Sequence, residues 1–322
     1  MHILTRAALA VSLGLGLVAG ATAAEYPSRP IQFFVGFPPG GSTDTAARII
    51  APALAQKLGQ PVILDNQAGA GGVIGIDLVS KAKPDGYAMG FGVSGALTAN
   101  VTLMPSLPYD PRKDITAVSQ VVDNPLVLAV NSDLGVNDVQ GLIARGKAKP
   151  GSLSYGTAGP GTAMNLAGEL LNQRTGLGMV HVPYKGSSPA VMDLIANHIQ
   201  AVVVDLASTK PHIDSGRLKA LAVTSAQRTP LAPTIPTMAE AGVPDYAVES
   251  WFSVIMPPGV SQPVLDKVHG ALVEVLADPK VGEQLMRAGL TPKSSTPQEL
   301  AQRIDREITL YADLIKAANI TR

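Results

Sequence analysis

Short apolar segments alternate with helical patterns along most of the chain. Apolar residues fill the runs 33–35, 61–64 and 87–93, while 45–58 and 73–81 repeat apolar positions at helical spacing. Glycine and proline mark the turns between these segments. Strands that alternate with helices in this way predict a parallel sheet with helices on its faces. Pro52 lies inside the first helical pattern and is expected to kink or divide that helix.

The same alternation repeats in the middle of the chain and predicts a second sheet. Predicted strands cover 124–130, 153–155, 180–182, 201–206 and 218–223, and predicted helices cover 137–147, 163–175, 188–197 and 210–215. One more strand at 251–256 precedes three helices at 262–276, 279–288 and 297–318. We therefore expect two α/β lobes, with the chain crossing between them near 123–125 and 245–250.

Two glycine-rich loops each join a predicted strand to a predicted helix, one in each lobe. The first is Phe37–Asp44, in which Ser42, Thr43 or Asp44 is the candidate N-cap, and the second is Gly156–Thr162. The first N–H groups of a helix have no intrahelical partner and lie at the positive end of its dipole, so a carboxylate or phosphate binds well there. An ordinary turn explains either loop alone. Two such strand ends facing each other across a cleft favour a binding site.

The first 24 residues have the pattern of a secretory signal peptide. A basic start that includes Arg6 precedes an apolar run from Ala7 to Ala19, and small residues follow up to Ala24. The run is too short for a membrane span of about 20 residues. We expect the mature protein to be exported, and no later segment has the length and apolar character of a permease helix.

The composition excludes several classes of site. The chain has no cysteine, which excludes disulfides, zinc–thiolate sites and cysteine nucleophiles. The 25 basic and 25 acidic residues balance, and nothing in that balance suggests a nucleic acid or an anionic membrane surface. The five histidines show no metal-ligand spacing. Neither a metal site nor a cofactor is predicted.

Catalysis is not predicted either. No G-x-S-x-G motif is present, since the segment Gly92–Ala96 lacks the last glycine. An exported hydrolase that uses Ser94 or Ser187 is the alternative, although no ordered His and Asp partners accompany either serine.

Asp205 ends an apolar strand, where a buried carboxylate needs partners. A place in the cleft and a structural hydrogen-bonding role are both open for it.

Motifs spread over the whole mature chain carry a family resemblance. They are YPSRPI (26–31), FPPGGSTD (37–44), DNQAGAGG (65–72), PYKG (183–186), LKALAVT (218–224), IPT with EAG (235–242) and PPG (257–259). Each is weak alone, but together and in this order they resemble the tripartite tricarboxylate transporter receptor family, also called Bug (Bordetella uptake gene) proteins.

The resemblance implies an α/β periplasmic binding protein of the two-lobed, Venus-flytrap kind, with a mainly parallel sheet flanked by helices in each lobe. Its expected parts are a signal peptide (1–24), the first part of lobe 1 (25–124), lobe 2 (125–246) and the returning part of lobe 1 (247–322). A monomeric receptor without enzymatic activity is implied, which delivers a small carboxylate, above all a dicarboxylate, to separate membrane permease subunits. A ligand-sensing receptor with no transport role is an alternative.

The resemblance also places the ligand between the two glycine-rich loops, held largely by backbone groups and waters. With Asp205 added from its place at a strand end, the expected ligand-binding residues are Phe37, Gly40, Gly41, Ser42, Thr43, Asp44, Gly156, Thr157, Ala158, Gly161, Thr162, Asn165 and Asp205. The family often has His where this chain has Asn165, and Asn keeps a donor and an acceptor but loses any positive charge. Aromatic, linear and hydroxy acids all fit such a cleft.

Overall fold

Two β-sheets organise the fold. The computed structural model describes residues 26–317 and 320, and within this part of the chain six strands form the first sheet and five form the second. The predicted signal peptide at 1–24 lies outside the described residues. The predicted two-lobed α/β architecture is confirmed, since each sheet has its own helices and its own apolar core.

The helices and strands follow the apolar pattern of the sequence. The strands are β1 (Ile31–Val35), β2 (Val62–Asn66), β3 (Ala88–Val93), β4 (Thr116–Asp123), β5 (Leu126–Asn131), β6 (Ser154–Thr157), β7 (Val180–Pro183), β8 (Ala201–Asp205), β9 (Leu218–Val223), β10 (Trp251–Met256) and β11 (Thr291–Pro292). The α-helices are α1 (Ser42–Leu58), α2 (Val73–Ser80), α3 (Ser94–Leu97), α4 (Asn100–Leu103), α5 (Val139–Ala148), α6 (Ala163–Thr175), α7 (Ser187–Ile195), α8 (Leu206–Asp214), α9 (Gln262–Ala277), α10 (Pro279–Arg287) and α11 (Pro297–Ala317).

Both sheets are mixed, whereas the sequence predicts mainly parallel ones. The first has the order β11-β4-β10-β3-β1-β2, in which β1 is parallel to β2 and β3, and β10 is antiparallel to β3 and β4. The second has the order β7-β6-β8-β5-β9, in which β6 is parallel to β7 and β8, and β5 is antiparallel to β8 and β9. Parallel pairs occur where a helix connects successive strands. The antiparallel pairs involve the strands by which the chain enters or leaves a lobe.

The chain crosses between the two sheets twice. It leaves the first sheet between Asp123 and Leu126 and returns between Val223 and Trp251. The crossing segments run side by side, because the N–H of Asn124 donates to the carbonyl of Ser250 over 2.8 Å. Both lobes are therefore joined next to the cleft that lies between them.

The last helix, α11, packs against both cores. Its residues Leu300, Ile304 and Ile308 are buried in the core of the first sheet, whereas Tyr311 and Ile315 are buried with the core of the second. The sequence predicts one buried stripe along this helix, and that stripe is divided between the two lobes.

Helix α1 differs from the prediction at its start and at its proline. It begins at Ser42 with Gly41 as N-cap, so none of the predicted capping residues occupies the N-cap position. Pro52 does not divide the helix, which continues to Leu58. The loss of one backbone hydrogen bond is tolerated because a face that includes Ile50 and Leu54 is fully buried against the sheet.

Three further elements depart from the sequence prediction. Strand β4 and the two-residue strand β11 were not expected, since β4 follows a proline-rich segment and has no clean alternation of apolar and polar residues. Helix α8 begins four residues earlier than predicted, because Asp205 caps it.

Among the described residues, no helix combines the length and apolar character needed to cross a membrane.

Candidate ligand-binding site

A cleft lies where the two lobes meet, at the carboxyl ends of β1, β3 and β6. It has a volume of about 570 Å³, part of which is open to solvent. Its lining residues are Phe37, Pro38, Pro39, Gly41, Ser42, Thr43, Val93, Ser94, Gly95, Ala158, Thr162, Ala163, Met164, Gly186, Ser187, Ser188, Pro189, Ser250 and Phe252.

The cleft carries no charge, and most of its surface is apolar. Of the described residues that line it, none has an ionisable side chain. Its polar side chains are the hydroxyls of Ser42, Thr43, Ser94, Thr162, Ser187, Ser188 and Ser250. A charged ligand in this cleft is therefore held by hydrogen bonds and dipoles rather than by ion pairs.

Four helices begin at the cleft: the four-residue α3, which starts at Ser94, and three longer ones. The first residues of the longer ones are Ser42 of α1, Ala163 of α6 and Ser187 of α7, and all three residues line it. The N-terminus of a helix carries about half a positive charge and unpaired N–H groups. The convergence of three such ends makes the cleft favourable for an anion although it contains no basic side chain.

The N-terminus of α1 is uncapped. Its N-cap residue is Gly41, which has no side chain to accept a hydrogen bond from the first turn. Within the described part of the chain, the N–H groups of Ser42 and Thr43 have no hydrogen-bond partner. These two donors are available to a ligand.

Asp44 turns away from the cleft. Its Oδ2 accepts hydrogen bonds from the N–H of Gly40 at 3.0 Å and from Nε of Arg48 at 2.7 Å. Its Oδ1 accepts from Nδ2 of Asn66 at 3.0 Å. Burial raises the pKa of Asp44, but the hydrogen bonds from Arg48, Gly40 and Asn66 outweigh it and keep that pKa below 3.8. Asp44 therefore fixes the loop, and its negative charge is neutralised away from an anionic ligand.

The N-terminus of α6 is capped by its own loop. Oγ1 of Thr162 accepts from the N–H of Asn165 at 3.2 Å and donates to the carbonyl of Gly159 at 2.7 Å. Oδ1 of Asn165 accepts from the N–H of Gly161 at 3.2 Å. Asn165 thus stabilises the loop from behind and does not line the cleft.

A second set of contacts holds this loop from the side of the sheet. The hydroxyl of Thr157 is 2.8 Å from Nε2 of His181 and accepts from the N–H of Gly159 at 3.1 Å. Burial lowers the pKa of His181, so the ring is neutral at neutral pH. Gly156 is also internal, because a Cβ there would lie 2.7 Å from the side chain of Ile199.

A third segment, Gly186–Pro189 at the start of α7, borders the cleft and is not among the predicted ligand-binding residues. The N-cap of α7 is Gly186, which offers no side chain to the helix N-terminus. The hydroxyl of Ser188 donates to the carbonyl of Gly40 over 3.0 Å, a contact between the two lobes at the edge of the cleft. The sequence signal that could have indicated this segment is the motif PYKG (183–186), which directly precedes α7.

Asp205 lies behind the cleft and holds Ser187. Oγ of Ser187 donates to Oδ2 of Asp205, and Oδ1 of Asp205 accepts from the N–H of Ser208 over 2.8 Å. The Asp205 side chain caps α8 and is fully buried. Of the two roles that the sequence left open, the structural one is observed.

The end of β3 and the start of β10 complete the lining with Ser94, Ser250 and Phe252. Ser94 is 1% exposed, and its hydroxyl has no hydrogen-bond partner among the described residues. A buried hydroxyl without a protein partner is costly, which makes Ser94 a candidate contact for a ligand. The place of Ser94 directly after a strand is the sequence signal that could have found it.

Glycines bring the backbones of the two lobes together. A Cβ on Gly95 would lie 2.7 Å from both the carbonyl oxygen of Gly161 and the nitrogen of Ala163. A Cβ on Gly71 would lie 2.8 Å from the carbonyl oxygen of Pro160. Both glycines belong to the first lobe and face the loop before α6. The lobes are therefore closed on each other, and this closure depends on the absence of a Cβ atom at Gly71 and Gly95.

The structure brings part of the predicted site to the cleft. The predicted residues that line it are Phe37, Gly41, Ser42, Thr43, Ala158 and Thr162. Those that lie outside its lining are Gly40, Asp44, Gly156, Thr157, Gly161, Asn165 and Asp205. Most of the second group support the loops by hydrogen bonds or close packing.

Among the described residues, no group of three or more acids and histidines is arranged to hold a metal ion.

Comparison with known families and relatives gives a consistent result. The tripartite tricarboxylate transporter family receptor profile matches residues 46–320. Protein BugT of Bordetella pertussis (strain Tohama I) is 40% identical over 302 residues, which cover 94% of this chain and 93% of BugT.

Solved structures with the same fold are also similar in sequence. The periplasmic binding protein BugD is 33% identical with a TM-score of 0.87, and the match covers 92% of this chain and 99% of BugD. The R. palustris protein Rpa4515, solved with adipate, is 33% identical with a TM-score of 0.89 and the same coverage of both chains.

Proposed function

The chain belongs to the tripartite tricarboxylate transporter receptor family, and on that premise we propose that its cleft binds a small dicarboxylate for delivery to a membrane permease. The family consists of periplasmic solute-binding receptors and not of enzymes. The predicted signal peptide at 1–24 agrees with this compartment. The bound adipate of Rpa4515 belongs to the same chemical class of ligand.

The single observation that carries the proposal is the chemistry of the cleft. The N-termini of the three longer helices converge on a space that is lined by hydroxyls and apolar groups and by no ionisable side chain. Such a space stabilises negative charge through N–H donors and helix dipoles. It offers no carboxylate that would attract an amine. It also lacks the planar amide and acid side chains that commonly bind sugars.

One carboxylate of the ligand binds the free N–H groups of Ser42 and Thr43 at the uncapped end of α1. The other end of the ligand lies against the N–H groups of the second lobe, at the N-termini of α6 and α7. A hydrogen bond to a charged group contributes about 1.5–3 kcal/mol. A few such bonds, after the cost of ordering the ligand, give a dissociation constant in the micromolar range or below.

Closure of the lobes couples binding to transport. Gly71 and Gly95 pack against the loop before α6 in the closed lobes, and separation of the lobes would break these contacts. A ligand that bridges α1 and α6 binds this state better than an open one and shifts the population towards it. The permease then recognises the closed surface.

Thermal shift and calorimetry on the mature protein test the proposal. Succinate, glutarate and adipate are expected to raise the melting temperature and to bind with one site per chain. A sugar and a diamine serve as matched neutral and cationic controls. Stabilisation by the sugar or the diamine, with none by any carboxylate, would contradict the proposal.

The variant Ser94→Ala links this binding to the cleft. Ser94 has no partner in the protein, so its loss removes a contact with the ligand and leaves no protein group unpaired. We expect an affinity loss of about three- to tenfold, equivalent to one neutral hydrogen bond of about 0.5–1.5 kcal/mol. The melting temperature of the free protein is expected to stay constant or to rise.

A further inference from the structure

The pair Ser187 and Asp205 has a fixed hydrogen-bond direction. Ser187 lines the cleft at the first residue of α7, and Asp205 is fully buried behind it. An ionised carboxylate has only acceptor atoms, so the proton between the two side chains belongs to Ser187. The other oxygen, Oδ1 of Asp205, accepts from the N–H of Ser208, so both oxygens of the side chain have a donor.

The only other acceptor near this hydroxyl, among the described residues, is a sulfur atom. Sδ of Met164 lies 3.6 Å from Oγ of Ser187. A thioether is a weak acceptor, whereas a hydrogen bond to a carboxylate is charge-assisted and about twice as strong as a neutral one. The single proton of Ser187 therefore stays on the side of Asp205. Only the lone pairs of Oγ are left for the cleft.

As a consequence, the cleft offers hydrogen-bond donors at one end and a hydrogen-bond acceptor at the other. The uncapped end of α1 presents donors, whereas Oγ of Ser187 presents an acceptor. The next residue, Ser188, has a backbone N–H in the first turn of α7 with no partner among the described residues. An acceptor beside a donor matches a hydroxyl group, which donates to the first and accepts from the second.

Building on the proposed function, we propose that Asp205 is a positioning residue that makes Ser187 a hydrogen-bond acceptor. This end of the cleft then recognises a hydroxyl substituent of the bound carboxylic acid. A plain diacid puts a methylene or a carboxylate oxygen there and leaves the lone pairs of Ser187 without a donor. A hydroxy acid supplies the donor. Asp205 thereby determines specificity without touching the ligand.

The test compares the diacid that binds tightest with its own 2-hydroxy derivative. Calorimetry identifies which of succinate, glutarate and adipate binds tightest, and the same protein is then titrated with both enantiomers of the 2-hydroxy derivative. We expect one enantiomer to bind about tenfold tighter than the parent diacid, as for one well-placed hydrogen bond. Equal affinity of the parent and both enantiomers would overturn the inference while the binding of diacids stands.

The variant Asp205→Asn reverses the hydrogen bond. Asn keeps an oxygen for the N–H of Ser208, and it is a good N-cap residue, so α8 keeps its cap. Its amide N–H₂ donates to Ser187, which frees the serine proton for the ligand. We expect the tenfold preference for the hydroxy acid to disappear or to reverse in favour of the plain diacid. A merely structural role would weaken both ligands by the same factor, and an unchanged ratio would overturn the inference.

Two further variants make the result independent of the folding of Asp205→Asn. Ser187→Ala removes the acceptor and is expected to bring the affinity ratio close to one. Asp138→Asn is the matched control, because Asp138 caps α5 in the same way but is exposed and does not line the cleft. It is expected to leave the ratio unchanged. If no carboxylate binds at all, the proposed function fails, and this inference fails with it.

Discussion

The two glycine-rich loops that face each other across the cleft differ in how their helices begin. In the loop before α1, the N-cap is Gly41, and the N–H groups of Ser42 and Thr43 are free within the described chain. In the loop before α6, Thr162 caps the helix through the N–H of Asn165. The first loop leaves its donors for a ligand, and the second uses part of its own hydrogen-bonding capacity for itself.

This difference suggests a division of roles. The uncapped end of α1 is the stronger anion site, because no capping side chain takes up its first N–H groups. The capped loop is a rigid surface held by Asn165 and His181, against which the first lobe closes. Substitutions at Gly95, Asp44 and Gly41 each alter one side of this comparison, and their expected effects decrease in that order.

The variant Gly95→Ala prevents the two loops from meeting. Its Cβ would lie 2.7 Å from the backbone of Gly161 and Ala163, and backbone on a packed loop does not yield easily. Overpacking of this kind costs about 1–3 kcal/mol, so we expect affinity for the diacid to fall about 10- to 100-fold. The stability of the free protein should change little, because opening of the lobes relieves the clash.

Gly270→Ala is the matched control for this variant. Gly270 lies inside α9, where a Cβ would meet no atom within 4 Å. We expect a gain in stability of roughly 0.5–1 kcal/mol and no change in affinity. If Gly95→Ala binds as tightly as Gly270→Ala, closure against the loop before α6 does not contribute to binding.

The variant Asp44→Asn tests the support of the first loop. Asn66, Arg48 and the N–H of Gly40 all donate to this carboxylate. Loss of these three hydrogen bonds to the carboxylate is expected to lower the free energy of unfolding at pH 7 by about 1–3 kcal/mol, as measured by urea titration. The exposed pair of Lys210 and Asp214 provides the control, and Asp214→Asn is expected to cost less than about 1 kcal/mol.

The pH dependence of the same variant has a definite sign. The folded protein lowers the pKa of Asp44 below 3.8, so the stabilisation is fully present above that pH and is lost as the pH falls through the lowered pKa. The stability difference between the natural protein and Asp44→Asn should therefore be constant near pH 7 and shrink below about pH 4. A difference that grows on acidification would mean that Asp44 is not held as the carboxylate.

The variant Gly41→Ser makes the first loop resemble the second. Gly41 has a φ of −85°, and the nearest atom to a Cβ there is 4.0 Å away, so a serine fits without strain. Its hydroxyl would cap α1 and stabilise the free protein by a few tenths of a kcal/mol. The same cap competes with the ligand, and we expect a loss of affinity of about threefold. If neither quantity changes, the end of α1 is not the anion site.

Much of the fold could be predicted from the sequence because strong local patterns determine it. Helix α6 and the strands β9 and β10 have the predicted bounds, since each is a clear apolar segment between turn signals. Strand β4 was missed because its apolar residues do not alternate cleanly, and only its neighbours in the sheet make it a strand. The mixed sheets also depend on where the chain crosses between lobes, which no local pattern encodes.

The site was predictable in part for a similar reason. The glycine loops mark backbone donors, and Ser42, Thr43 and Thr162, which are predicted to bind the ligand, line the cleft. Asp44 and Asn165 are polar residues in the same loops but turn into the loops themselves, because Arg48, Asn66 and His181 lie behind them. These partners come from other turns and strands. The lining by Ser250 and Phe252 likewise depends on the second crossing of the chain.

Backbone NMR during a titration with a diacid tests the central claim most directly. The claim is that the carboxylate binds the free N–H groups at the start of α1. On ¹⁵N-labelled protein, we predict saturable downfield shifts of the amide protons of Ser42 and Thr43, larger than that of Asn165, whose N–H is already bonded to Thr162. Saturable binding that leaves the amide protons of Ser42 and Thr43 unshifted would contradict the claim.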